Sequence, residues 1–193
     1  MKRICVFCGC SDKIPQVYLD IAYEMGKTLA RQDITIVYGA GSTGMMGAVA
    51  NGALETGGKV WGVIPKIFDT PQLSHKNLTH YEVTDSMHSR KARMAELADG
   101  FIALPGGFGT LEELLEIVTW AQIGLHRKPI GLLNTNGYYD PLLGMVAHAE
   151  REGFIYSEHR QLFTHAATPA ALLEGMMNHN LPEGLERWVE RDG

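Results

Sequence analysis

The sequence predicts a doubly wound α/β fold, in which a parallel sheet of about seven strands carries helices on both faces. Short apolar runs rich in β-branched residues alternate with longer segments whose apolar residues recur at helical spacing. Glycine-rich segments directly follow two of these runs, and such segments mark the strand-to-helix turns at which α/β proteins bind ligands. Because parallel strands are joined by right-handed crossovers, these turns should meet at one edge of the sheet.

The first part of the chain contains two strand–helix pairs. Residues 3–8 form a short apolar run that stops at Gly9, and residues 15–31 place apolar side chains at helical spacing. Residues 34–38 form the second run, which leads through a glycine-rich turn into a helix of small residues that ends near Glu55. This order is that of parallel βαβ units.

The middle of the chain continues the alternation around one irregular segment. Residues 60–64 predict a third strand, which Pro65 stops. Residues 66–77 have mixed polarity without a period and predict a flexible loop near the ligand site. A short strand over 78–83 and a helix over 86–97 follow.

The second half repeats the pattern around a further glycine-rich segment. A fifth strand is predicted over 100–104, and the helix that comes after the glycines has an apolar stripe that should face the core. The members of that stripe are Leu114, Leu115, Val118 and Ala121. The remaining predicted elements are a strand over 129–133, a helix over 140–150, a short strand around 162–164 and a helix over 169–177.

Length and composition indicate one nucleotide-binding domain over 1–193, with a core over about 2–178 and a C-terminal tail over 179–193. The 193 residues are 45% hydrophobic and 20% charged, which is enough for one core without disulfides. The net charge of −5 argues against binding to a nucleic-acid polymer. Because no apolar run reaches the length of a membrane span, and the first one is too short for a signal peptide, we expect a cytoplasmic protein without membrane partners.

Three cysteines, Cys5, Cys8 and Cys10, fall within six residues. A zinc site would need a second ligand pair at matching spacing, and the eight histidines are scattered without such a pattern. We therefore expect no metal, and we predict buried thiols at the end of a strand in a reducing compartment.

The strongest functional signal is the phosphate loop, a name we give to residues 105–113, Pro-Gly-Gly-Phe-Gly-Thr-Leu-Glu-Glu. Gly106, Gly107 and Gly109 permit positive φ and let the backbone approach a ligand closely. Amides at the start of the following helix, together with its dipole, favour an anion such as phosphate.

Two acids follow in the same loop, and they admit two interpretations. The helix dipole alone would stabilise Glu112 and Glu113 in the first turn, by about 0.3–1 kcal/mol each. A site that only held phosphate, however, gains nothing from added negative charge. The acids beside a phosphate-binding loop therefore indicate chemistry on a phosphorylated substrate.

A second glycine-rich turn, formed by Gly39, Gly41 and Gly44, has the Gly-x-Gly-x-x-Gly spacing of dinucleotide-binding turns. The next strand ends in Ile-Pro-Lys, without the acidic residue that binds a ribose hydroxyl in NAD sites. Two interpretations remain open: a tight turn for close helix–sheet packing, and a second backbone wall for a mononucleotide, which would involve Gly39, Gly41 and Ser42. The chain lacks a Gly-Lys-Ser/Thr P-loop and a Gly-x-Ser-x-Gly elbow, which argues against ATP hydrolysis and a serine nucleophile.

The helix predicted over 86–97 carries basic residues, Arg90, Lys91 and Arg93, on what we expect to be its outer face. Its start should lie on the same sheet edge as the phosphate loop. Arg90 suits a planar clamp on phosphate or on a ribose hydroxyl, and the alternative is a solvated surface position. For Arg93 the solvated position is favoured.

Three segments of the chain together resemble the LOG ("Lonely guy") family. They are 38–47, Tyr-Gly-Ala-Gly-Ser-Thr-Gly-Met-Met-Gly, then 86–94, Ser-Met-His-Ser-Arg-Lys-Ala-Arg-Met, and the phosphate loop. The resemblance covers about 2–178. Members of this family are cytokinin riboside 5′-monophosphate phosphoribohydrolases, formerly labelled lysine decarboxylases. The resemblance implies a Rossmann-like domain, a homodimer, and hydrolysis of AMP or cytokinin riboside 5′-monophosphates to free base and ribose 5-phosphate.

By the same resemblance, the catalytic pair falls on Arg90 and Glu113. The predicted substrate-binding residues outside the second glycine turn are Gln72, Lys91, Gly106, Gly107, Phe108, Gly109, Thr110, Leu111, Glu112 and Thr119. The chain departs from the family pattern at three positions. Gln72 replaces a glutamate and cannot act as a base, Ala40 replaces a glycine, and Cys10 replaces a serine.

The predicted chemistry requires no metal or organic cofactor. Cleavage of an N-glycosidic bond builds positive charge on the ribose, which the Glu113 carboxylate would stabilise while it orients or deprotonates the attacking water. Arg90 would bind ribose or phosphate and keep Glu113 ionised. The lysine decarboxylase label is disfavoured, because no residue is identified as a Schiff-base lysine for pyridoxal phosphate.

Two other functions are weighed against hydrolysis. The main alternative is a non-catalytic carrier of a nucleotide or pterin cofactor on the same fold, which has no need for an acid beside the phosphate loop. An NAD-linked enzyme is disfavoured, because the strand after the second glycine turn does not end in the acidic residue that binds a ribose hydroxyl in NAD sites.

Overall fold

The structure, a computed structural model that describes residues 1–183 and residue 185, contains one parallel sheet in the order β4-β3-β2-β1-β5-β6-β7. Its strands are β1 (Arg3–Phe7), β2 (Thr35–Tyr38), β3 (Val60–Pro65), β4 (His80–Thr84), β5 (Gly100–Ala103), β6 (Ile130–Leu133) and β7 (Thr164–Ala166). Its α-helices are α1 (Gln16–Arg31), α2 (Gly44–Glu55), α3 (Met87–Leu97), α4 (Phe108–Gln122), α5 (Asp140–Arg151) and α6 (Pro169–Asn178). The predicted doubly wound α/β fold with about seven strands is confirmed.

Two apolar clusters, one on each face of the sheet, form the core. Because neighbouring strand residues point to opposite faces, Ile4 joins one cluster and Cys5 the other. The first cluster buries apolar side chains of α1, α2 and α6, and the second buries those of α3 and α4. Part of the predicted tail also packs here, since Leu185 is buried in the second cluster. The rest of that tail, residues 184 and 186–193, lies outside the described residues.

The prediction for the short seventh strand was wrong by two residues. The strand runs over Thr164–Ala166, whereas the expected position was around 162–164. Leu162 instead adopts helical backbone angles at the end of a 3-10 turn, Ser157–Gln161, and is buried in the second cluster. The apolar side chain of Leu162 is therefore buried as part of a turn, although burial alone is equally consistent with a strand.

The predicted apolar stripe of α4 was wrong at one member. The buried positions are Thr110, Leu114, Ile117 and Ala121, which lie at three- and four-residue spacing along one helix face. Leu115 is one position further round the helix, and 48% of its surface is exposed. The outward direction of Leu115 leaves an apolar residue on the outside of α4.

The order of the strands places a ligand crevice beside β1. After β1 the chain crosses to β2 on one side of the pair β1–β5, and after β5 it crosses to β6 on the other side. The turns that follow these two adjacent strands therefore diverge at the carboxyl edge of the sheet. Ligands of open α/β sheets bind at such a switch point. None of the described helices has the length and apolar composition that a membrane-spanning helix requires.

Candidate active site

The phosphate loop presents free backbone amides at the start of α4. The helix begins at Phe108, three residues before the start of its apolar pattern, with Gly107 as the N-cap. Its first internal hydrogen bond runs from the amide of Leu111 to the carbonyl of Gly107, at 3.0 Å. The amides of Phe108, Gly109 and Thr110 precede that bond and have no acceptor within the helix. Amides in this position, with the helix dipole behind them, favour an anion, and phosphate binding here stays a prediction.

The glycines of the phosphate loop are required for space and not for unusual backbone angles. None of Gly106, Gly107 and Gly109 has a positive φ, although glycine would permit one. A Cβ at Gly106 would lie 2.1 Å from Oγ1 of Thr110, which makes this glycine a packing requirement. For Gly107 and Gly109, no heavy atom of the described residues lies within 4 Å of the Cβ position, apart from chain neighbours. The latter two therefore keep open the space in front of the helix.

Three hydrogen bonds from neighbouring turns fix the phosphate loop and the residue just before it. The amide of Gly9, just after β1, donates to the carbonyl of Pro105 at 3.1 Å. The hydroxyl of Tyr139 donates to the carbonyl of Leu104 at 2.6 Å, and that of Tyr138 donates to the carbonyl of Gly106. Sequence reasoning missed both tyrosines, although their position just after β6 at the carboxyl edge of the sheet would have indicated them.

Arg90 of α3 and Glu113 of α4 form a buried ion pair through Nη2 and Oε1. The side chains are only 13% and 11% exposed, so the expected outer-face position of Arg90 was wrong. The fold brings together the two residues that the family resemblance assigns as catalytic. In the described part of the chain, Nε of Arg90 is buried without a hydrogen-bond partner.

The pKa of Glu113 is raised above its usual range, chiefly because the carboxyl is buried. Arg90 and Lys91 lower this pKa, while the neighbouring Glu112 raises it further. Arg90 thus favours the ionised form of Glu113, as expected, but burial outweighs this effect and the net pKa shift is upward. An acid with a raised pKa is suited to proton transfer closer to neutral pH.

The second glycine turn makes room for side chains. A Cβ at Gly39 would lie 3.0 Å from Nη1 of Arg90 and 3.0 Å from Cε of Met46, and one at Gly41 would lie 2.8 Å from Sδ of Met46. These glycines allow Arg90 and Met46 to lie across the end of β2. Ala40, which replaces a family glycine, is buried and has a φ of 60°, a left-handed conformation that alanine adopts only with strain.

The amides at the start of α2 already have acceptors. The amide of Gly44 donates to Oδ1 of Asp12 at 2.7 Å, and that of Met45 donates to the carbonyl of Gly9 at 3.0 Å. The amide of Ser42 donates to the carbonyl of Leu73. A substrate role of Ser42, Gly39 and Gly41 stays a prediction, and the observed geometry agrees better with the close-packing interpretation. Asp12 was missed, because no sequence pattern links it to a helix 32 residues away.

The segment 66–77 lies beside this turn, and its place near the ligand site stays a prediction. It begins with a 3-10 turn, Lys66–Phe68, and Ser74 forms an antiparallel bridge to Gly41. The carbonyl of Gln72 accepts a hydrogen bond from the hydroxyl of Ser42 at 3.4 Å, and the Gln72 side chain is exposed. Gln72 is therefore near the second glycine turn.

The other predicted substrate residues have different positions. Lys91 is buried and forms ion pairs with Glu112 and Glu116, so its expected outer-face position was wrong. Thr119 is exposed and donates to the carbonyl of Leu115 one turn earlier, on a face of α4 other than that of Glu113. Arg93 is about one third exposed and pairs with Glu82 and Glu96, as a surface residue would.

A cavity of about 370 Å³ lies between the phosphate loop and α3, which is within the range of small-ligand sites. Residues that line it are Val6, Phe7, Cys8, Gly9, Cys10, Gly39, Met46, Met87, Arg90, Met94, Gly107, Phe108, Gly109, Thr110 and Glu113. An apolar cleft of about 390 Å³ on the other side of the loop shares Gly9, Cys10 and Gly107 with this cavity. The cavity thus joins the anion site to the Arg90–Glu113 pair.

The cysteines differ in exposure. Cys5 and Cys8 are buried as predicted, whereas Cys10 is exposed, which corrects our expectation for the third thiol. Among the described residues, no three His, Cys, Asp or Glu side chains form a group that could hold a metal ion.

Comparisons with known proteins show which family and fold the chain shares. Residues 46–176 match a family model described as "Possible lysine decarboxylase". The chain is 46% identical over 179 residues to probable cytokinin riboside 5′-monophosphate phosphoribohydrolase LOGL2 of Oryza sativa subsp. japonica, covering 93% of this chain and 73% of that protein. It is also 46% identical over 178 residues to cytokinin riboside 5′-monophosphate phosphoribohydrolase LOG4 of Arabidopsis thaliana, covering 92% and 83%.

A solved structure, the molybdenum cofactor binding protein from Rippkaea orientalis, has the same fold. The TM-score is 0.69 over 90% of this chain and 94% of that one, at 21% identity. At this identity the likeness concerns the fold alone.

Proposed function

The chain belongs to the LOG family of cytokinin riboside 5′-monophosphate phosphoribohydrolases, and from this membership we propose that it hydrolyses the N-glycosidic bond of nucleoside 5′-monophosphates. The products are the free base and ribose 5-phosphate. The observation that carries the proposal is the buried Arg90–Glu113 pair, which lines the same cavity as the free amides of the phosphate loop. A phosphate on those amides would bring the ribose toward Glu113.

Each part of the site has a role in this reaction. The amides of Phe108, Gly109 and Thr110 bind the phosphate, and this remote binding energy positions the ribose. The Glu113 carboxylate stabilises the positive charge that develops on the ribose, and it orients or deprotonates the attacking water. Arg90, which lines the cavity, binds a ribose or phosphate oxygen and holds Glu113 in place.

Lys91 supports hydrolysis over the older decarboxylase description. A Schiff-base lysine must lose its proton to react, and such lysines have lowered pKa values. Burial lowers the pKa of Lys91, but hydrogen bonds and charge from Glu112 and Glu116 outweigh it, and the net shift is upward. The lysine next to Arg90 is therefore held as a cation.

The substrates that we propose are AMP and N6-prenylated AMP. Purified protein should be incubated with each of these and with GMP and CMP, and the products separated by chromatography. We expect release of adenine or of the prenylated base together with ribose 5-phosphate. A protein that binds AMP tightly but releases no base from any of the four would be a carrier.

Glu113→Gln tests the mechanism separately from the family assignment. We expect kcat to fall by about 10²–10⁴-fold, the usual contribution of a general base, while calorimetry still detects AMP binding. Glu96→Gln is the matched control, because Glu96 is an exposed carboxylate on α3 that pairs only with the surface residue Arg93 among the ion pairs described. Unchanged turnover in Glu113→Gln would refute the role of this carboxylate.

A homodimer in the cytoplasm is part of the same proposal. One face of α4 carries exposed apolar side chains, with Phe108 93% exposed and Leu115 and Ile123 nearly half exposed. Thr119 lies on this face, between Leu115 and Ile123 at four-residue spacing. A second copy packed against it would bury these residues and bring Thr119 close to the partner, where it could complete a site.

A further inference from the structure

Lys91 sits between two carboxylates of α4. Only 8% of the residue is exposed, and its ammonium donates to Oε1 of Glu112 and, at 3.0 Å, to Oε1 of Glu116. Glu112 and Glu116 are four residues apart, so they lie above one another on one helix face and can share a cation. Glu113, one position further round the helix, is directed toward Arg90 instead.

Three ion pairs, made by two adjacent residues of α3, therefore hold α4 at two different angles around its axis. Arg90 holds Glu113, and Lys91 holds Glu112 and Glu116. Any rotation of α4 that moved Glu113 away from the cavity would have to break the contacts of Lys91. Two of the three donors of its ammonium are already used by carboxylates.

We propose that Lys91 is a positioning residue that fixes the direction of Glu113, and that Glu116 is the residue that keeps Lys91 in place. This inference rests on the proposed function, and it gives Lys91 a different role from the direct substrate contact that family resemblance implies. It also assigns a role to Glu116, whose position one turn after Glu112 could have indicated a shared cation.

The charged groups around Glu113 affect its pKa, which an experiment can measure. From α3 it faces Arg90 and Lys91, and from its own helix Glu112. From the β1 side the thiols of Cys5 and Cys8 interact with it, and burial raises the pKa of both thiols well above the usual range, so they are neutral. Lys91 and Glu112 thus act on the carboxylate of Glu113 with opposite signs.

The experiment compares pH profiles of kcat/KM for AMP in Lys91→Met, Glu112→Gln and Glu116→Gln. If the carboxylate of Glu113 is the active form, kcat/KM rises with pH through its pKa. Loss of the Lys91 cation destabilises the carboxylate, so the rising limb should move to higher pH. Loss of the Glu112 anion should move it to lower pH. Arg93→Met is the matched control, because Arg93 is a cation of the same helix that pairs with Glu82 and Glu96.

Separate measurement of kcat and KM distinguishes a positioning role of Lys91 from a direct contact between Lys91 and the substrate. We expect Lys91→Met and Glu116→Gln to lower kcat with little change in KM, and Lys91→Arg to restore part of the loss. A direct contact of Lys91 with phosphate would instead raise KM at least about tenfold in Lys91→Met, as loss of a charged hydrogen bond does. That result, or a limb that moves in the same direction in Lys91→Met and Glu112→Gln, would overturn the proposal.

A second measurement keeps the inference testable without turnover. Carbon-detected NMR of the glutamate side-chain carboxyls, with Glu113 assigned by its loss in Glu113→Gln, gives the pKa of this residue directly. Glu112 is more than half exposed, so Glu112→Gln should fold even if Lys91→Met does not. Absence of hydrolysis in the wild type would refute the proposed function, whereas a Glu113 titration that is unchanged in both Lys91→Met and Glu116→Gln would refute the present inference.

Discussion

At the scale of single residues, the Arg90–Glu113 pair is better explained by function than by stability. Removal of two charges from water costs several kcal/mol per ion in proteins, and apolar replacements of buried ion pairs are often neutral or stabilising. This pair also leaves the pKa of Glu113 raised and Nε of Arg90 without a partner among the described residues. Perturbed acids and unsatisfied donors in one cavity are features of sites that await a ligand.

The three thiols should differ sharply in reactivity, and the substrate should protect one of them. Burial raises the pKa of Cys5 and Cys8, whereas Cys10 is exposed at the wall of the cavity. Because the thiolate is the reactive form, iodoacetamide at neutral pH should give one rapid adduct, at Cys10, by mass spectrometry of peptides. AMP should slow this reaction, and Cys10→Ser should abolish it. Equal labelling with and without AMP would place the nucleotide elsewhere.

Asp12 should contribute to stability as a remote cap of α2. The N-cap residue, Thr43, forms no side-chain cap, and the Gly44 amide donates to Asp12 instead. Loss of a capping acceptor costs about 1 kcal/mol, so Asp12→Ala should lower Tm by roughly 2–4 °C in a chain of this length. Asp12→Asn retains an acceptor and should lose less. Thermal unfolding followed by circular dichroism measures both, and equal Tm values for Asp12→Ala and the wild type would contradict the assignment.

At the scale of elements, the two glycine-rich turns meet different requirements. The turn after β2 makes room for Arg90 and Met46, and its helix amides are bound by Asp12 and Gly9. The turn after β5 keeps the start of α4 open to the cavity. Both turns follow a strand and begin a helix, so the motif alone could not distinguish them. The distinction depends on which neighbouring groups reach the helix amides.

Alanine substitutions in the phosphate loop should separate binding from folding. In Gly109→Ala the new methyl group enters open space, and alanine in a helix is about 0.5–1 kcal/mol better than glycine, so Tm should hold or rise. The methyl group would occupy the space in front of the amides, so KM for AMP should increase. In Gly106→Ala it would meet Thr110 and the backbone of Gly9, so Tm should fall.

Thermal unfolding and steady-state kinetics on the two variants check this contrast. A fall of Tm in Gly109→Ala without an effect on KM would contradict the placement of the phosphate. A Gly106→Ala protein with the stability of the wild type would contradict the packing role of Gly106.

At the scale of the whole molecule, the order and type of the elements were predictable, because strand and helix periods are local properties of the sequence. The sheet of seven parallel strands and the shared edge of the glycine turns followed from that alternation and from the handedness of crossovers. The errors lie where tertiary contacts decide. Leu162 is buried by a turn and not by a strand, and Leu115 has helical spacing but faces outward.

Only part of the geometry of the candidate site was predictable. Family resemblance paired Arg90 with Glu113, and the fold brings them into contact across 23 positions. No local pattern predicts that Lys91 is buried beside Arg90 or that Asp12 caps α2. These contacts join distant segments, so only the folded chain reveals them.

The exposed apolar face of α4 should be the surface through which two copies of the chain form a dimer. Phe108, Leu115 and Ile123 would be buried if two copies met along this face, and exposed apolar patches of this kind mark interaction sites. A lysine in the centre of such an interface must bury a charge, so Leu115→Lys should convert a dimer into a monomer. Met145→Lys is the matched control, because Met145 is an exposed apolar residue of α5. Size-exclusion chromatography with light scattering measures the mass of each variant. If Thr119 completes the partner's site, the Leu115→Lys monomer should also lose activity, whereas a Leu115→Lys protein that remains a dimer would exclude this face as the interface.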